Sequence, residues 1–102
     1  MAKPRIFVTA KIGDRLININ GREAQALLAL VEHGPRGITS LDMGRAGWAI
    51  RLGAYIHDLR HKFGVPIETT REPHDGGQHG RYTLTGPVQI ISQSASLIEE
   101  AA

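Results

Sequence analysis

The hydrophobic and polar positions fall into segments of different period. Residues 5–10 are rich in β-branched and aromatic types, residues 15–19 look similar, and Gly13-Asp14 between them is a turn signal. This pattern predicts an N-terminal β-hairpin over residues 1–20. Asn20 then stands where a helix cap is expected, with Glu23 placed to reach back to it. Ala24, Leu27, Leu28 and Val31 recur at helical spacing, and Gly34-Pro35 stops that helix after His33. Thr39 and Asp42 have capping-box spacing and predict a second, short helix, with Gly47 as the corner that follows it.

The longest periodic segment covers residues 48–62. Ala49, Leu52, Ile56, Leu59 and Phe63 share one face, while Arg51, His57, Asp58, Arg60, His61 and Lys62 occupy the others. Gly64 ends it. Residues 65–70 read as a strand, 71–80 as a polar, glycine-rich loop, and 81–85 as the returning strand, with Tyr82 and Leu84 on one side and Arg81, Thr83 and Thr85 on the other. Gly86-Pro87 closes the hairpin. A short strand at 88–91 and a fraying Ser/Ala/Glu tail complete the expected organisation: extension 1–20, domain 21–87, and strand plus tail 88–102.

Composition narrows the function classes. The chain has 102 residues, which fits one domain, and no cysteine, which removes disulfides and cysteine-based metal sites. No apolar run is long enough to span a bilayer and no signal-peptide core follows Met1, so the expectation is a cytoplasmic protein without a membrane partner. The net charge of +2 says little by itself. Residues 42–81 hold six basic and five acidic side chains, a thin surplus that favours weak or cooperative over tight monomeric binding to nucleic acid.

The order helix, short helix, glycine corner, long helix and β-hairpin is the layout of a winged helix-turn-helix domain. Gly47, Arg51-Leu52, Ala54, Ile56, Asp58-Leu59-Arg60, Gly64 and Ile67-Glu68-Thr69 together resemble the winged helix-turn-helix domains of small phage and prophage DNA-binding proteins, over about residues 22–86. Gly53 and Tyr55 depart from that pattern, where small-polar and basic residues are common, and one expected phosphate contact goes with them. The fold expected is α+β, with three helices, a C-terminal β-hairpin wing and the extra N-terminal hairpin.

Such a layout suits duplex DNA, because the major groove admits a helix whose back is held by apolar packing. Arg51 lies near the N-terminal end of the long helix, where base contacts concentrate, and its fork matches guanine. Tyr55 and Lys62 share its azimuth, Arg45 is placed to hold a phosphate, and Arg71, His79 and Arg81 belong to the wing that would follow the backbone. Asp58 reads as a structural acceptor, Trp48 as a packing residue and Tyr82 as part of the wing core. His57 and His61, one helical turn apart, have a metal-chelating spacing, with His74 and His79 nearby, but solvated histidines are the simpler reading and no metal or cofactor is expected. No catalytic triad, phosphate loop or paired carboxylates can be assembled, so no catalytic residue is assigned. The expected protein is therefore a non-enzymatic DNA-binding transcriptional regulator. A homodimer through the N-terminal hairpin is expected with it, and a winged-helix protein-interaction module is the alternative.

Overall fold

The computed structural model describes residues 4–40, 51–74 and 77–97. Strands β1 (Pro4–Ile12) and β2 (Arg15–Asn20) form the expected hairpin, Ile12 pairing with Arg15 across a two-residue turn. Gly13 takes φ +58° there, a conformation that glycine alone adopts without strain. The strands alternate as one-sided burial requires. Ile6, Val8, Ala10, Ile17 and Ile19 are buried, whereas Phe7, Lys11, Leu16 and Asn18 face outward.

Helix α1 (Gly21–His33) follows directly and buries Ala24, Ala26, Leu27 and Leu30. The expected Asn20 cap is not made. Asn20 has extended geometry, pairs with Phe7 in the sheet and forms no side-chain cap bond, so its strand role prevails over capping. The far end does stop as expected: Gly34, at φ +55°, donates its N–H to the Leu30 carbonyl. A 3-10 turn (Gly34–Arg36) leads into the two-residue strand β3 (Ile38–Thr39).

Thr39 closes β3 and is fully buried, and Ser40 is already helical. The rest of the expected short helix, the Gly47 corner, Trp48 and Arg45 lie outside the described residues, among which there are two α-helices rather than the three expected. The long helix, here α2, spans Leu52–Lys62 with Arg51 as its flanking residue, and the expected start at residues 48–50 lies outside the described residues. Its apolar face matches the periodicity: Leu52, Ile56 and Leu59 are buried and Phe63 is partly so. At its end the Val65 N–H bonds to the Leu59 carbonyl at 3.0 Å around Gly64, which has φ +69°.

The wing corrects the sequence reading. Strands β4 (Ile67–His74) and β5 (Gly77–Leu84) pair antiparallel from Ile67↔Leu84 to His74↔Gly77, so residues expected as a long loop at 71–80 are mostly strand. Ladder hydrogen bonds satisfy the backbone of this polar, glycine-containing stretch without any need for apolar alternation. Strand β6 (Val88–Leu97) is likewise ten residues long, not the short strand expected at 88–91. It pairs with β1 along its length, with an irregularity between Thr9 and Ala10 that leaves Ile91 as an extra, unpaired residue.

Two three-stranded antiparallel sheets result, ordered β2-β1-β6 and β3-β5-β4. Helix α1 touches strands of both sheets as well as α2, and the buried side chains form one continuous cluster. Removing an aliphatic side chain of this size from water stabilises by about 1.5–3 kcal/mol. A dozen such groups supply the rigid back that fixes α2 and the wing.

Candidate nucleic-acid interface

Helix α2 is anchored by one face, and its other residues are set by the 3.6-residue turn. Arg51, Gly53, Ala54, His57, Arg60, His61 and Lys62 are exposed, and Tyr55 and Asp58 are half-buried. Arg51, Tyr55, Asp58 and Lys62 follow one another at spacings of four, three and four, and so share a stripe beside the core face. Arg51 makes no hydrogen bond or ion pair with any of the described residues. Lys62 reaches Asp58 at 3.8 Å, an ion pair whose lysine side chain is 69% exposed. The carboxylate thus partly neutralises a cation expected to contact phosphate, and Asp58 has the acceptor role read from the sequence.

Opposite the core lie Ala54, His57 and His61. The two imidazoles sit with ring centroids 4.3 Å apart, tilted by 38°. This is the outermost surface of the helix, and all three residues are exposed. Helical spacing alone places it, because it is the arc directly opposite Leu52, Ile56 and Leu59. Among the described residues no group of three or more His, Cys, Asp or Glu side chains is arranged to hold a metal ion.

A side-chain hydrogen bond joins α2 to the wing. Arg60 Nη1 donates to Thr69 Oγ1 of β4 at 3.3 Å, and a Cβ built on Gly53 would stand 3.5 Å from the Tyr82 hydroxyl of β5. Tyr82 is half-buried and packs on the core. Arg71 is exposed on β4, opposite Gly80, and has no polar partner among the described residues. His79 pairs in register with Glu72.

Arg81 lies on the wing strand β5, as expected, and has protein partners there. Its Nε donates to Glu72 Oε2 at 2.7 Å and its Nη1 to the Arg36 carbonyl at 2.8 Å. One guanidinium thereby ties β5 to β4 and to the 3-10 turn after α1. Arg15 is a further tie that the sequence did not reveal. From β2 it donates through Nη2 to the Phe63 carbonyl at 3.3 Å, where a cation also complements the C-terminal end of the α2 dipole.

The structure thus places Arg51, Tyr55 and Lys62 along α2 and Arg71 on β4, two elements joined by the Arg60–Thr69 bond, while Arg81 bridges β5 to β4 and to the 3-10 turn. A family model described as a winged helix domain matches residues 16–94. No curated protein and no solved structure matches the chain.

Proposed function

The chain belongs to the winged helix domain family, and on that premise we propose that it is a non-enzymatic DNA-binding protein that lays α2 in the major groove and the β4–β5 wing along the backbone. The observation that carries this reading is the pairing of an anchored helix, exposed along its outer arc, with a wing bonded to it through Arg60 and Thr69. Arg51 and Arg71 are exposed on those elements, and both are available to phosphate or guanine. Lys62 joins them as a phosphate contact, Tyr55 flanks Arg51, and Arg81 acts by holding the wing in place. Arg45 and His79 belong to the reading on sequence grounds. The resemblance to phage and prophage proteins supports a transcriptional regulator of that type.

Binding of labelled duplex DNA, followed by fluorescence anisotropy at ~50 and ~200 mM salt, tests the proposal. Affinity should fall steeply with salt, because binding releases condensed counterions and that release gains less free energy at higher salt. The double substitution Arg51→Ala with Lys62→Ala should weaken binding at least ~tenfold. Undetectable binding at ~50 mM salt would overturn the reading, since non-specific affinity alone is measurable there. Selection from random duplexes at the same two salt concentrations would then supply the target.

A further inference from the structure

The two sheets have four edges, and they are not equally protected. Strand β3 is only two residues long, and β4 carries Glu68, Arg71, Glu72 and Pro73. Such short length, charge and proline are the usual guards against unwanted strand pairing. Strand β2 has six residues, with Arg15 at its start and α1 directly after its end. Strand β6 has none of these guards. Its ten residues, Val88–Leu97, include no charged side chain and no proline, and no other described strand pairs with it on the side away from β1.

The exposed residues of β6 are also unusual for a solvated edge. Ile91, the extra residue at the irregularity, is 49% exposed. Gln93 sits opposite the buried Val8 and is nonetheless exposed. On the outer face, Ser92 and Ser94 stand opposite Thr9 and Phe7, and Phe7 is 51% exposed. Small hydroxyl side chains leave the backbone N–H and C=O groups approachable, and an extended chain is the one partner that satisfies a row of them.

We infer that β6 pairs antiparallel with β6 of a second copy of this chain, joining two three-stranded sheets into one of six strands. Charge favours self-pairing. A strand facing itself across a two-fold axis brings like residues near one another, which penalises any charged edge and leaves an uncharged one unpenalised. The same criterion disfavours the expected route through the N-terminal hairpin, because β1 already has both edges paired and the β2 edge carries Arg15. The dimer would present two copies of α2 related by the two-fold, although its formation does not depend on DNA binding.

Sedimentation equilibrium without DNA tests the inference. The wild-type chain should move from 11.1 kDa toward twice that mass as its concentration rises from ~1 to ~200 µM. Substituting both exposed serines, S92K with S94K, sets lysines against lysines for any register centred on residues 92–94 and should give a monomer throughout. The S92E with S94E variant should also be monomeric, and an equimolar mixture of the two should recover the dimer mass. A wild-type chain that stays at 11.1 kDa, or a lysine variant as dimeric as the wild type, would overturn the inference. Amide exchange on the wild-type chain gives a second reading that needs no variant. Protection of β6 amides should increase with protein concentration, and concentration-independent protection would count against the dimer.

Discussion

Arg81 and Glu72 are joined by an Nε–H···Oε2 bond of 2.7 Å across the two strands of the wing, with both side chains about one-third exposed. The same guanidinium holds the Arg36 carbonyl at the end of the 3-10 turn. The wing is therefore fastened to the helical body by a side chain that the sequence places among candidate phosphate contacts.

Arg81→Ala should lower the unfolding free energy by about 1–2 kcal/mol, a charge-assisted bond discounted for partial solvent access. For a domain of this size that corresponds to a fall in Tm of roughly 4–12 °C. Arg81→Lys should recover little of it, because an ammonium cannot span both acceptors. Thermal unfolding checks this, and an unchanged Tm would show that the contacts carry no net stability.

Asp58→Asn should tighten duplex binding. It removes a negative charge from the stripe of Arg51 and Lys62 and releases the Lys62 ammonium from its 3.8 Å partner. The exposed pair is worth little to stability, about 0–1 kcal/mol, so the effect should be read in affinity: roughly two- to fivefold at low salt and less at high salt. Weaker binding at low salt would mean that Asp58 positions the helix rather than opposing phosphate.

Two glycines should respond in opposite ways to alanine. Gly37 has φ +66°, and a Cβ there would meet the Tyr82 carbonyl and lie 2.7 Å from Thr83 Oγ1, so Gly37→Ala should cost about 2–3 kcal/mol. Gly53 lies in the first turn of α2, where a Cβ would find only the Tyr82 hydroxyl at 3.5 Å, an ordinary contact. Gly53→Ala should therefore stabilise by about 0.5 kcal/mol through helix propensity. Chemical denaturation of both variants separates the two effects.

What the sequence revealed depended on whether the governing contacts are local. The buried alternation of Ile6, Val8 and Ala10, the stop at Gly34 and the Leu52–Ile56–Leu59 face all follow from period and backbone preference, and all three are present. The wing strands at 71–80 were hidden because Arg71↔Gly80 pairing is carried by backbone bonds that leave no hydrophobic signature. Strand β6 was hidden for a second reason: Ser94 owes its strand conformation to Phe7, far away in the sequence. The exposure of Arg51 and Lys62 was readable from helical spacing. The role of Arg81 was not, since Glu72 becomes its neighbour only through the β4–β5 register and Arg36 is 45 positions away.

The pairing of β1 with β6 sets a constraint on how the molecule is made. Pro4 lies beside Leu97, so the first described strand occupies the middle of its sheet and waits for the last one. During synthesis the hairpin and α1 emerge early, but β1 keeps one edge bare until residue 97 has left the ribosome. Completion of this sheet therefore waits for synthesis through residue 97, and it closes a loop that runs from Pro4 to Leu97. A nascent chain stalled before β6 would display β1 paired with β2 on one side and bare on the other, which makes that interval the one in which chaperone capture or misassembly is most effective.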